Sequence, residues 1–273
     1  MKFQIRLLGS PEFLLDDAPL AFARRKTTAL LAYLAAKEGP VAANSAASLL
    51  WPEFPPDRAM ASLRHAMSDA ASVAGRPLIE RSGRALSFHS EVELECDVVS
   101  FREFASEGLV SSSTATLQRA AALYGGGFLE GFYLDDAIMF EDWQLLESEN
   151  LRSLATEVMS RLAEIHQESG MAVEAELWAR RLSEISPLCG AAHRILMELS
   201  IARGDIADAL NRYSMYARIL SRELGIKPDV RIEEIRAKIE TRGQEAKAPP
   251  VPEAPAGLSP AILQAGKRLS PIK

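Results

Sequence analysis

The sequence predicts a mainly α-helical chain in two parts, with small β-sheets confined to the first, and three observations carry that reading. Between Arg24 and Asp97, three short amphipathic stretches precede two short alternating ones. That order of three helices and a β-hairpin suits a winged helix-turn-helix. After Asp97 the apolar spacing is helical, and in its later portion it repeats. Gly170 and Gly204, Ala175 and Ala209, Leu162 and Leu196, and Ile185 and Ile219 each stand 34 residues apart. This is the period of tetratricopeptide-type helix pairs, in which stacked pairs bury faces that no pair can bury alone.

The first part opens on strands. Phe3 to Leu8 alternates and ends at Gly9, Glu12–Leu15 and Leu20–Phe22 are its partners, and Asp16-Asp17 makes the turn between them. Thr27 to Ala36 reads as a helix with Leu30, Leu31 and Leu34 on one face, ended by Gly39-Pro40. Asn44 or Ser45 is placed to cap the next helix, which buries Leu49, Leu50 and Trp51. Pro52 closes that helix. Asp57 is placed to cap a third helix running to about Val73, with Ala59, Leu63, Ala66, Met67 and Ala70 inward. Its other face carries Arg58, Ser62, Arg64, His65 and Ser68, small and cationic residues of the kind a DNA major groove accepts. Pro77–Glu80 and Ala85–Phe88 form a hairpin whose tip holds Arg81 and Arg84, a basic wing suited to phosphates or a minor groove. Arg24, Arg25 and Lys26, just before the first helix, are further candidates for the DNA backbone. The plain alternative for each cluster is a solvated surface.

The second part begins near Asp97, and Thr114 to Tyr124 forms a further helix. Gly125-Gly126-Gly127 invites a phosphate-loop reading, but neither a preceding strand nor a following Gly-Lys-Ser/Thr is present. The glycines instead suit a tight turn between packed helices. From Glu141 to Gly170 a long helix carries an apolar stripe of Trp143, Leu146, Leu151, Leu154, Val158, Leu162 and Ile165. A last helix, Asp229 to Arg242, caps the array. Beyond Gly243 the Pro/Ala/Glu composition predicts a flexible tail, with Ala261 to Leu269 forming a short helix on a partner.

Bulk properties narrow the function. The 273 residues are enough for two domains, each with a core of its own, and 48% hydrophobic with 25% charged residues is ordinary for a soluble protein. Cys96 and Cys189 are far apart and read as reduced thiols. Neither a signal peptide nor a run of about 18 apolar residues is present, so a cytoplasmic protein without a membrane span is expected. The net charge of −6 is unfavourable for nucleic acid, but residues 1–90 hold 11 Lys and Arg against 8 Asp and Glu, a net of +3 that leaves −9 for the remainder. The four histidines, His65, His89, His166 and His193, are scattered, with His193 expected to pack or cap inside the helical part. With no nucleophile–base pair and no metal-spaced cluster, the sequence predicts a non-enzyme with no cofactor and no metal.

Taken together, the chain resembles the antibiotic-regulatory (SARP-like) bacterial transcriptional activators, which join an OmpR-type winged helix to a bacterial transcriptional activator domain (BTAD). The resemblance spans nearly all of residues 1–240. It rests on Arg24-Arg25-Lys26 before Leu30–Leu34, on Leu50-Trp51-Pro52 and Leu63-Arg64, and on Ala122–Gly131 with Trp143. It also rests on Gly190–Met197, and on Tyr213 with Leu220–Pro228. The resemblance implies a winged helix over 1–95 that binds double-stranded, direct-repeat promoter DNA. It implies a tetratricopeptide-like domain over 96–242 that serves self-association as a homodimer and contact with RNA polymerase, followed by the tail over 243–273. One departure matters. The family continues the third helix after Leu63-Arg64 with further arginines, whereas this chain has Ser68-Asp69-Ala70-Ala71-Ser72. Asp69 facing phosphates would repel them; Asp69 turned onto the protein and paired with an arginine would not. The first case, together with the acidic total charge and Ala71, points to an alternative function, a protein-interaction scaffold whose winged helix binds DNA weakly or not at all.

Overall fold

The computed structural model describes residues 1–37 and 39–245. The chain begins with strands β1 (Lys2–Arg6), β2 (Glu12–Leu15) and β3 (Ala18–Leu20) in an antiparallel meander. Asp16 and Asp17 turn β2 into β3, both left-handed at φ 48° and 66°. Two left-handed residues in succession twist a two-residue loop in the sense the flanking strands require, and aspartate tolerates that region better than most residues. The expected third strand thus lies two residues earlier than the sequence suggests.

Three helices follow: α1 (Arg25–Ala36), α2 (Ala43–Leu50) and α3 (Pro56–Ala74), with the two-residue strand β4 (Val41–Ala42) before α2. The expected side-chain caps are corrected. Ala42 holds the cap position of α2 without a side-chain bond, and Asn44 and Ser45 lie exposed within its first turn. Pro55 holds the cap position of α3, with Pro56 and Asp57 in the first turn. Proline there costs no hydrogen bond, because the first amides of a helix have no partner inside it, and an aspartate in that turn complements the helix dipole. Gly75, at φ 69°, ends α3 in the left-handed conformation glycine adopts most readily.

Strands β5 (Ile79–Ser82) and β6 (Ala85–Phe88) form the hairpin, and β6 also pairs with β4. Strand β7 (Glu93–Cys96), absent from the sequence reading, lies parallel to β1 and completes a sheet of order β3-β2-β1-β7. From β7 the chain enters α4 (Asp97–Ser111) directly. Asp97 carries its carboxylate back to accept the amides of Leu7 and Leu8 at 2.9 Å. Burial pushes its carboxyl above the usual range, against the pull of those amides.

Helices α5 (Thr114–Leu123), α6 (Ile138–Glu168), α7 (Ala172–Ile185), α8 (Gly190–Ala202), α9 (Ile206–Leu224) and α10 (Val230–Glu245) complete the chain. The 34-residue period is visible bond by bond. Met171 N donates to His166 O at 2.8 Å, as Asp205 N does to Ser200 O at 2.9 Å. Gly170 N donates to Gln167 O at 3.1 Å, as Gly204 N does to Ile201 O at 2.9 Å. Both glycines are left-handed, at 72° and 80°. Two turns of one design therefore join α6 to α7 and α8 to α9. The stripe on α6 needs one correction: Leu146 is 63% exposed, and Glu147 is the buried neighbour, held by Arg102 of α4. Residues 243–245, assigned to the tail from composition, continue α10, whereas the rest of the tail and the Ala261–Leu269 helix lie outside the described residues.

Instead of two separate cores, one buried apolar cluster runs from Phe3 to Leu199, and a smaller one joins Met197, Tyr216 and Leu220 to Ile232, Ile235 and Ile239 of α10. The triple-glycine segment is one reason the first cluster is continuous. Gly9 N donates to Gly127 O and Leu129 N to Leu7 O, so residues 127–130 extend the end of β1. A Cβ on Gly126 would lie 3.2 Å from the Cα of Gly9, a backbone approach that leaves no room for a side chain. The glycines serve a tight turn, as expected, but packed on a strand end.

Candidate nucleic-acid interface

Helix α3 has two faces with different chemistry. Ala59, Leu63, Ala66 and Ala70 are buried against the first part, and Met67 is half-buried beside them. Arg58, Arg64, His65 and Ser68 are exposed, and Ser62 is half-exposed on the same side. The guanidinium of Arg58 lies 4.1 Å from the centre of the Phe54 ring, which steadies a long side chain at the start of the helix. All five residues named from the sequence thus share the outward surface of one helix.

Asp69 does not. Its carboxylate accepts a hydrogen bond from the Thr27 hydroxyl at 2.7 Å and lies 4.0 Å from Nε of Arg24. Its side chain is 23% exposed, and Thr27 is buried. Of the two placements the sequence left open, the structure has Asp69 turned onto the protein. It fastens α3 to the start of α1, and it offsets part of the charge of Arg24. Thr27 carries no signal in the sequence beyond its place at the start of a helix, so its part in that join was not legible.

The hairpin presents its cations as expected. Gly83 stands at the tip with φ 62°, and Arg81 and Arg84 are exposed on either side of it. Glycine in the first central position of a two-residue loop is the pattern of a type II′ turn. Nε of Arg81 donates to Gly83 O at 2.9 Å, so Arg81 braces the turn as well as charging it.

Arg24, Arg25 and Lys26 are in a different situation. The Lys26 ammonium makes a 2.8 Å ion pair with Asp136 and stands 5.5 Å from the centre of the Trp51 ring. The Arg25 guanidinium lies 5.0 Å from the centre of the Phe132 ring. Both partners, Phe132 and Asp136, belong to the turn that leads into α6. That turn is fixed from below: Leu134 N donates to Glu141 at 2.5 Å, and the side-chain amide of Gln144 donates to Phe132 O at 3.0 Å. Between the turn and α3 lies a cavity of about 530 Å³, with Ser62, His65 and Ala66 on one wall and Tyr133 to Asp136 on the other. Asp135 and Asp136 are the residues sequence reasoning missed. An acidic pair more than a hundred positions from its cations has no local signature.

The join between the two parts is aromatic. Trp143 of α6 meets Tyr33 of α1 edge-on at 4.9 Å, and it meets Phe128 and Phe140 at 5.5 and 5.2 Å. Beside it, Arg102 donates to the carbonyl of Ala36 at 2.9 Å while pairing with Glu147. The winged helix is therefore docked on the helical array through named contacts.

The remaining resemblance motifs are explained by packing within the array. His193 is buried, stacks on Tyr216 at 4.2 Å, and donates from Nε2 to Pro187 O at 2.9 Å. Burial lowers its pKa below the ordinary value. Tyr213 donates to Glu233 at 2.6 Å and lies under the guanidinium of Arg236, which ties α9 to α10. Cys96 is buried, with its thiol pushed up to about 11 by burial, and it packs as an apolar side chain.

Residues 94–240, from β7 into α10, match the bacterial transcriptional activator domain. The chain belongs to that family. Regulatory protein AfsR of Streptomyces coelicolor is 27% identical over 245 residues, which is 85% of this chain and 24% of that protein. The chain thus spans about a quarter of the length of this curated relative. A solved structure of Mycobacterium tuberculosis EmbR, in complex with a low affinity phosphopeptide, shares the fold with a TM-score of 0.65 at 20% identity. The match covers 88% of this chain and 65% of that one. Among the described residues, no helix is long and apolar enough to cross a membrane.

Proposed function

We propose that this BTAD-family chain is a cytoplasmic transcriptional regulator that binds double-stranded promoter DNA through the winged helix of residues 1–95. The helical part, residues 96–242, serves self-association or contact with RNA polymerase. The observation that carries the reading is the outward face of α3. Arg58, Ser62, Arg64, His65 and Ser68 share it, and Asp69 is turned away onto Thr27. In this reading Ser62, Arg64 and His65 approach base edges, while Arg58, Arg81, Arg84 and Arg24 to Lys26 approach phosphates. Phosphate contacts supply affinity and register, and base-edge contacts supply discrimination. Membership of a transcriptional activator family, and a curated relative named as a regulatory protein, support a regulator over an enzyme.

The alternative function, an interaction scaffold, is favoured by one observation: a cation predicted to meet phosphate, Lys26, is paired within the protein. Titrating promoter DNA at several salt concentrations separates the two. A DNA-binding regulator shows affinity that falls steeply with salt, and Arg64→Ala weakens specific binding by about 1–3 kcal/mol, the worth of a bidentate base contact. Absent or salt-insensitive binding contradicts the reading.

A further inference from the structure

We infer that Asp136 is a specificity-determining residue, an internal stand-in for a DNA phosphate that occupies Lys26 and thereby suppresses binding to non-cognate DNA. The inference rests on the DNA-binding reading above.

Lys26 is a prepared anion site. Its ammonium is held over the face of Trp51, its side chain is only 18% exposed, and it stands at the start of α1. The oxygen it holds at 2.8 Å is the carboxylate of Asp136, whose own side chain is 67% exposed. A carboxylate oxygen at that distance presents to an ammonium the same charge and hydrogen-bond acceptor as a phosphate oxygen. The backbone around Asp136 is fixed to α6 through Leu134 and Phe132, so the carboxylate returns to the same place whenever nothing displaces it. Displacement needs only a side-chain rotation into solvent. The cavity of about 530 Å³ beside the pair, walled by Ser62 and His65 of α3, is the space through which a phosphate would arrive.

The consequence differs between the two kinds of complex. Non-cognate binding consists of phosphate neutralisation, so a cation already neutralised from within contributes little to it. A cognate complex also has base-edge contacts to hold the duplex in register while a phosphate takes Lys26 and Asp136 swings out. Asp136 therefore lowers non-cognate affinity more than cognate affinity. Asp135, next to it and on the same cavity wall, carries the same charge without the bond to Lys26.

The test is salt-dependent binding of promoter DNA and of random-sequence DNA to the wild type, Asp136→Asn, Asp135→Asn and the double variant Lys26→Ala/Asp136→Asn. Thermal melts serve as a check that each folds. Asp136→Asn should bind random DNA more tightly, with a log–log salt slope steeper by about 0.9, the signature of one added phosphate contact. The ratio of cognate to random affinity should fall. Asp135→Asn should leave the slope unchanged, and the double variant should return it to the wild-type value. If the wild type binds DNA and Asp136→Asn has the wild-type slope, Asp136 masks nothing and the inference is overturned while DNA binding stands. A steeper slope that persists in the double variant overturns it as well, because the gain then does not pass through Lys26. If no variant binds DNA at low salt, the DNA-binding reading itself fails, and this inference with it.

Discussion

Two groups of cations in the first part differ in what surrounds them, and Lys26 marks the difference: its side chain is 18% exposed, whereas Arg24, Arg25, Arg81 and Arg84 are exposed. Arg81 and Arg84 at the hairpin tip are exposed and held by a local turn. Of the other group, Arg25 lies over Phe132 and Lys26 is paired with Asp136, both from the second part, while Arg24 lies near Asp69 of α3 within the first. The difference shows that a basic cluster is available to nucleic acid only to the extent that its own protein leaves it unmatched. For Lys26 the match comes from the long-range packing of the turn before α6, whereas the hairpin tip needs only its neighbours in sequence.

The largest effect should come from dismantling the join that brings that turn to Lys26. Trp143→Ala removes the ring shared by Tyr33, Phe128 and Phe140, and should cost about 3–5 kcal/mol of stability in denaturant unfolding. Trp143→Phe keeps a ring there and also removes a buried indole N–H that has no hydrogen-bond partner among the described residues, so it should cost far less. Equal costs would mean that the ring packing is not what holds the parts together.

Asp69→Ala sharpens the comparison from the side of Arg24. Because Asp69 bonds Thr27, the substitution should lower stability by about 1–2 kcal/mol. DNA affinity should change by less than the gain expected from removing an acid that faces phosphate. Next comes the exposed cluster. Arg84→Ala should lower the salt slope of DNA binding by about 0.9 and weaken cognate and random DNA alike, since a phosphate contact carries no sequence information.

The smallest effect belongs to a site remote from both clusters. His193, held below its ordinary value of 6.5 by burial, is neutral in the fold and takes up a proton more readily when unfolded. Its contribution to stability is therefore full above pH 6.5 and is lost as the pH falls through the depressed folded value. Denaturation at pH 7.5 and pH 5 should show that loss in the wild type and a smaller one in His193→Gln.

The same contrast between local and long-range packing explains what the sequence revealed. The helix pairs were legible because each is a local unit: Gly170 and Gly204, and the apolar positions around them, repeat at a fixed spacing that the turns reproduce bond for bond. The outward face of α3 was legible from helical periodicity alone. The join was not. Strand β7 pairs with β1 across some ninety residues; Val92, Leu94 and Cys96 alternate with Glu91, Glu93 and Glu95 as a strand would, but so short an alternation does not say which strand it joins. Leu146 fitted the apolar stripe of α6, yet Glu147 is the residue buried there, because Arg102 arrives from α4 to pair with it. The direction of Asp69 could not be read either, since helical spacing places it at the edge of the outward face and only Thr27 decides which way it turns.

We propose that DNA is held on the outward face of α3 and at the hairpin tip, where its phosphates compete with Asp136 for Lys26. Amide hydrogen exchange with and without promoter DNA addresses it most directly. Exchange should slow over residues 58–68 and 81–84 in the complex and quicken over residues 133–137 as the acidic turn gives up its ion pair. Unchanged exchange at α3 and the hairpin in a DNA-bound sample, or protection confined to α7–α10, would contradict it.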